Sequence, residues 1–135
     1  MKYLLDTNIC IYFLNQKDQH LTDKLKRINP KDIAICSIVK AELIYGAIKS
    51  ARTEENLAIV TDFAKDFASL PFDDIASQVY GRIRFDLERK GSIIGPNDLL
   101  IASIARANNL CLVTNNTSEF SRIDSLEIEN WTVNN

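Results

Sequence analysis

The spacing of apolar residues switches back and forth along this chain, and that alternation restricts the fold more than any other feature. Short apolar runs, Tyr3-Leu4-Leu5, Ile33-Ala34-Ile35-Cys36, Leu70-Pro71-Phe72 and Cys111-Leu112-Val113, are separated by longer stretches whose apolar residues recur every three or four positions. A strand that is apolar along its whole length is buried on both faces, and a helical crossover is the connection that lets two such strands run parallel. The pattern predicts an α/β domain built on a parallel sheet.

The first run reads as a strand leading into a helix over residues 7–14. A second helix covers 21–28, with Leu21, Leu25 and Ile28 at helical spacing and Asn29-Pro30 ending it. The strand at 33–36 is followed by a helix that Ser37 caps and that runs to about residue 50. Thr53 starts another, with Leu57, Val60, Ala64 and Phe67 on one face, and 70–72 read as a short strand. Asp73 or Asp74 caps a long helix to Lys90 with the stripe Ile75, Val79, Ile83 and Leu87, and Gly91 stops it. Gly95-Pro96-Asn97 opens a nearly all-apolar helix over 98–107, and strands at 111–113 and 127–131 close the pattern. No repeat, linker or low-complexity tract divides the 135 residues, so 1–135 reads as a single domain.

Composition removes several kinds of chemistry. Sixteen basic residues stand against 18 acidic ones, a net charge of −2, so no global basic field draws the chain onto nucleic acid or an anionic membrane. The one histidine, His20, lies in a polar stretch and reads as a surface residue, which leaves no imidazole cluster for zinc. Cys10, Cys36 and Cys111 are odd in number, far apart and each among apolar residues, as reduced core thiols of a cytoplasmic protein would be. Asp6 interrupts the apolar amino terminus before a signal-peptide core can form, and no apolar run approaches the ~18 residues of a membrane span. Any catalysis must run on carboxylates, amides, hydroxyls and a metal.

Four acids sit where such chemistry can be built. Asp6 directly follows the first strand, at the edge where open α/β sheets bind ligands, although an aspartate there is equally an N-cap. Asp98 lies in the first turn of the apolar helix, favourable for the helix dipole, yet shares a face with Ile101, Ala102 and Ala105 and needs a partner if buried. Glu42 is flanked at helical spacing by Ile38, Val39, Tyr45 and Gly46, which places it at the rim of something rather than on a solvated face. Glu119 follows Thr114-Asn115-Asn116 just beyond the strand at 111–113, a polar turn at the same sheet edge as Asp6. Carboxylates gathered together raise each other's pKa unless a cation offsets them, and an all-oxygen donor set without histidine suits Mg²⁺ or Mn²⁺. The chemistry such a site implies is phosphodiester hydrolysis.

The stretches Leu4-Leu5-Asp6-Thr7-Asn8, Ala41-Glu42-Leu43-Ile44-Tyr45-Gly46-Ala47, Ile94-Gly95-Pro96-Asn97-Asp98-Leu99-Leu100-Ile101-Ala102 and Val113-Thr114-Asn115-Asn116-Thr117-Ser118-Glu119-Phe120 resemble, in order and spacing, the four motifs of PIN-domain ribonucleases. More closely, they resemble the VapC toxins of bacterial type II toxin–antitoxin modules. The resemblance implies a three-layer α/β/α sandwich and a homodimer with Mg²⁺- or Mn²⁺-dependent endoribonuclease activity on RNA, transfer RNA among the substrates. It also implies a heteromeric complex with an inhibitory VapB-type antitoxin. It makes Asp6 and Asp98 the metal-ligand aspartates and Glu42 the second-motif acid, with Thr7, Asn8 and Thr114 orienting ligands or water. The family often carries aspartate where this chain has Asn116, and Glu119 is the residue that can supply the missing charge.

For an RNA-binding lip the sequence offers two basic groups, Lys24, Lys26, Arg27 and Lys31, and Arg82, Arg84, Arg89 and Lys90, with Asp86 and Lys90 spaced as a helical ion pair. Response-regulator receivers share the size and fold class, but Asp6 has no acidic neighbour and the second strand ends in Cys36-Ser37 rather than aspartate. A PIN-like domain without turnover, acting as an RNA- or protein-binding module, is the other reading, with Asn116 as its support.

Overall fold

In a computed structural model, which describes residues 1–133, five parallel strands form one sheet covered by helices. β1 (Tyr3–Leu5) leads into α1 (Thr7–Leu14) and α2 (Gln19–Arg27), and β2 (Ile33–Cys36) into α3 (Ser37–Ile48) and α4 (Thr53–Ala64). β3 (Ala68–Leu70) leads into α5 (Asp74–Lys90) and α6 (Pro96–Ala107), and β4 (Cys111–Val113) into the short α7 (Thr117–Phe120) and β5 (Ile128–Glu129). Successive residues of a strand face opposite sides of a sheet, and Leu4, Leu5, Ile33, Ala34, Ile35, Leu112 and Val113 are all at most 1% exposed. Both sheet faces are therefore covered, giving the α/β/α sandwich with its parallel sheet.

The strand order is β3-β2-β1-β4-β5. From β1 the chain builds outward through β2 to β3, then crosses back to lay β4 against the other side of β1. The switch point lies between β1 and β4, the place where a doubly wound sheet leaves a crevice at its carboxyl edge. Local chemistry fixes the elements that reach this edge. The Asp6 side chain caps α1 by accepting from Ile9 N at 2.8 Å. Pro96 occupies the first turn of α6, where its missing N–H costs nothing. At the far end of the sandwich Trp131 packs edge-on against Tyr3 at 5.0 Å, and its carbonyl accepts from His20 Nδ1 at 2.8 Å, which ties the end of the described chain to α2.

Several sequence expectations shift. The third strand lies at 68–70 rather than 70–72, because Pro71 cannot donate to a ladder and Leu70 already pairs with Cys36. Cys36, not Ser37, occupies the cap of α3 and makes no side-chain cap bond, while the Ser37 hydroxyl is 3.5 Å from the Leu70 carbonyl. On α5, Ile75 is 62% exposed, and the stripe turned to the core is Ala76, Ile83 and Leu87. Lys90 reaches Asp124 at 2.9 Å instead of Asp86. The closing strand is two residues long, because the chain turns at Asn130 to seat Trp131. Among the described residues no helix is long and apolar enough to cross a membrane.

Gly91 ends α5 in the left-handed conformation, φ 66°, and its N–H caps the Glu88 and Leu87 carbonyls. An added Cβ would meet nothing within 4 Å, so the cost of Gly91→Ala is backbone strain alone, about 1 kcal/mol. Thermal unfolding followed by circular dichroism should show a midpoint lower by about 3–5 °C.

Candidate active site

The switch point is lined by side chains from three helix starts and one helix face. Asp6, at the end of β1, is 4% exposed, so its carboxyl is a buried group and not a surface cap. One oxygen accepts from Ile9 N, and the Thr114 hydroxyl, one residue past β4, hydrogen bonds to the same carboxyl. Thr114 in turn accepts from Asn116 N at 2.9 Å, so a single threonine couples the ends of two adjacent strands. Across the crevice the Thr7 hydroxyl donates to Glu42 Oε1 at 2.5 Å, fastening α1 to α3 and aiming Glu42 at the site.

Asp98 enters from the first turn of α6, half-buried, and shares a hydrogen bond with Glu119. Glu119 is held at both oxygens: Gly95 N donates to Oε1 at 2.8 Å and Asn116 Nδ2 donates to Oε2 at 3.0 Å. The polar turn expected at 114–119 is partly helical, since α7 begins at Thr117 and turns Glu119 back toward the start of α6. Asn116 therefore acts as a clamp on Glu119 and lines the groove in its own right. Asn8 and Asn97 stand on the exposed rim, and the whole opens as a groove of about 800 Å³.

The electrostatics follow from burial and crowding. Burial pushes the Asp6 carboxyl up to about 6, partly opposed by its bonds from Thr114 and Ile9, with the Glu42 charge adding to the rise. Asp98 is pushed up to about 7, by burial first and then by Glu119, Asp6 and Glu42. Burial works against a charged Glu119 too, but the Gly95 N–H, the Asn116 amide and the bond to Asp98 outweigh it and lower its pKa. The shared proton thus sits on Asp98, with Glu119 accepting. Among the described residues no lysine, arginine or histidine forms an ion pair with any of the four acids.

This donor set fits a hard divalent cation. It offers carboxylate oxygens, flanking amides and hydroxyls, a charge deficit that protonation now fills, and room for the waters that Mg²⁺ keeps. A different trio, Cys111, Glu127 and Glu129, brings its potential ligand atoms within 4.8 Å of one another, but at the amino end of β4, away from the acids. Glu129 is already engaged there, by Trp131 Nε1 at 2.8 Å and by Lys24 at 4.0 Å.

All eight residues singled out from the sequence, Asp6, Thr7, Asn8, Glu42, Asp98, Thr114, Asn116 and Glu119, meet at this edge. The basic groups do not. Lys24 lies 4.0 Å from Glu129 and over the Trp131 ring, Arg84 bonds Glu88, and none of the eight basic residues named from the sequence lines the groove. The cation that does is Lys49, beside Tyr45, on the α3 face that carries Glu42. The spacing 38, 42, 45, 49 contained that information.

The PIN-domain family model matches residues 3–126. A ribonuclease VapC2 from Rickettsia felis is 46% identical over 97% of this chain and 98% of its own length. A tRNA(fMet)-specific endonuclease VapC from Salmonella typhimurium is 42% identical, also over 97% and 98%. Among solved structures, VapBC2 from Rickettsia felis bound to a promoter DNA fragment superposes with a TM-score of 0.90, at 45% identity over 97% of this chain and 99% of that one. DNA-bound VapBC from Salmonella typhimurium gives 0.92, at 42% identity over 97% and 98%. Sheet order, the four converging acids and near end-to-end similarity lead to the same place: this chain belongs to the PIN-domain family and, within it, to the VapC ribonucleases.

Proposed function

We propose that the chain is the toxin of a type II toxin–antitoxin module, a Mg²⁺- or Mn²⁺-dependent endoribonuclease that hydrolyses RNA phosphodiester bonds, with transfer RNA as its substrate class. The observation that carries this is the convergence of four carboxylates at the β1/β4 switch point, with no ion-paired cation among the described residues. Asp6 and Asp98 would hold the metal, with Glu42 and Glu119 close by. When bound, the metal offsets the charge that develops on the phosphoryl group and acidifies water. The chain's own residues do the rest. Thr114 fixes the Asp6 carboxyl, and Gly95 N–H and Asn116 fix Glu119. Thr7 engages one Glu42 oxygen, leaving the other to accept a proton from the attacking water.

A second groove, about 300 Å³ and lined by Ile11, Leu14, Leu43, Ala47, Ile59 and Val60, adjoins the first through Ile11, Glu42 and Gly46. An apolar trough opening onto an acid site suits a VapB-type antitoxin that covers the active centre, in keeping with the VapBC complexes above. The same reading makes the toxin a cytoplasmic homodimer within that heteromeric complex. Three buried free thiols fit a reducing compartment, and exposed Ile75 and Phe85 on α5 remain for protein seams.

The test is incubation of antitoxin-free protein with total transfer RNA in Mg²⁺, Mn²⁺ or EDTA. Discrete fragments that need metal and disappear when antitoxin is restored are expected. Intact RNA from folded protein would overturn the nuclease reading and favour a binding module.

A further inference from the structure

Three residues at the carboxyl end of α3, Lys49 being its C-cap, are not explained by the fold, and all three line the acid groove. Tyr45 is 64% exposed, a large aromatic surface left in solvent on a rigid helix. Its ring contact among the described residues is the Lys49 ammonium, 5.3 Å from the centroid, which leaves most of the ring open. Gly46 lies inside the helix, where glycine is weaker than alanine, yet a Cβ there would meet nothing within 4 Å and the backbone is right-handed. Neither packing nor conformation asks for a glycine. Lys49 lines the groove and, among the described residues, has no carboxylate at ion-pair distance.

Position gives these features one meaning. Tyr45 and Lys49 lie about 5 and 10 Å beyond Glu42 along the helix axis, on the same face. Outward from the acids the stripe presents an aromatic ring, a bared stretch of backbone and a cation. A single RNA strand offers the complement at each step: a base to stack, a sugar–phosphate that can approach the helix closely, and a phosphate to neutralise. An apolar protein segment would gain nothing from Lys49, and of the three residues only Gly46 also borders the apolar trough beside α4.

We propose that Tyr45, Gly46 and Lys49 form a platform that binds the nucleotide flanking the scissile phosphate, with Tyr45 stacking the base and Lys49 meeting its phosphate. This rests on the ribonuclease reading above. The platform positions RNA and takes no part in bond breaking.

The experiment measures binding of total transfer RNA to the Asp6→Asn chain in Mg²⁺ by fluorescence anisotropy, with cleavage kinetics of the otherwise wild-type chain alongside. Adding Tyr45→Ala should raise Kd and KM by about tenfold with kcat within about twofold, and Tyr45→Phe should restore both. Lys49→Gln should lower the slope of log Kd against log salt by about one. Gly46→Ala should weaken RNA binding while the melting temperature holds or rises. Unchanged RNA affinity in Tyr45→Ala overturns the platform, as does a loss confined to antitoxin affinity, which would give the stripe to the protein partner. Failure of the Tyr45-intact protein to bind or cut RNA would overturn the ribonuclease reading and the platform with it, a result distinct from failure of the variants alone.

Discussion

Asp6→Asn and Asp98→Asn should each lower the rate of RNA cleavage by at least ~1000-fold, equivalent to about 4 kcal/mol of transition-state stabilisation. Both exchanges preserve shape and remove charge. Asparagine caps a helix as well as aspartate does, so the bond from Ile9 N at 2.8 Å survives in Asp6→Asn and α1 keeps its start. At 98 the side chain is half-buried in the first turn of α6, where an amide still fits beside Glu119. What disappears is the negative charge that would hold a divalent cation at the switch point, and neither Glu42, bonded to Thr7, nor Glu119, bonded to Gly95 and Asn116, is placed to replace it. Single-turnover cleavage of transfer RNA beside a thermal melt checks this. Activity within tenfold of wild type, from a variant that melts cooperatively and no lower than wild type, would remove that aspartate from the site.

Most of this site was legible in the sequence because its acids hang on elements that announce themselves. Asp6 ends an apolar run and opens a helix, and Gly95-Pro96 marks the start of the helix that carries Asp98, so the residue pattern alone puts both aspartates at helix starts beside the sheet. Pairings across the fold were not legible. That Glu119 reaches the Gly95 N–H depends on the single turn of α7, too short to leave a periodic signal. The two basic clusters offered for an RNA lip do not line the groove, for a related reason. Clusters of lysine and arginine stand out in a sequence, but Lys24, Arg84 and Lys90 are committed to acids elsewhere on the surface. Lys49 belongs to neither cluster, and it reaches the groove because, as the C-cap of α3, it stands on the same side as Glu42. Ile75 failed as a core residue because a four-residue step drifts around a helix of 3.6 residues per turn, leaving Ala76 to face the sheet.

Without a divalent cation the fold should lose stability as pH rises, the reverse of what carboxylates in ion pairs produce. Asp6 has a folded-state pKa of about 6 against an ordinary 3.8, because burial disfavours its charge. Between these values the folded chain holds a proton that the unfolded chain has released, so stability falls with pH across that window and the loss is complete above it. A rise of about two pKa units corresponds to about 3 kcal/mol, or about 10 °C in melting temperature for a chain of this size. Asp98, which keeps its proton to about pH 7 against Glu119, extends the fall toward neutrality. The capping carboxyl of Asp18 is shifted downward and changes stability only at lower pH, so it does not mask the effect. Asp6→Asn keeps the cap and has nothing to ionise. In EDTA the variant and wild type should melt close together near pH 4, and the variant should melt about 10 °C higher at pH 8. Millimolar Mg²⁺ at pH 8 should then raise the wild type far more than the variant, because only the charged site gains by binding it. A melting gap that stays constant from pH 4 to 8 would mean that the Asp6 carboxyl is not destabilised by burial.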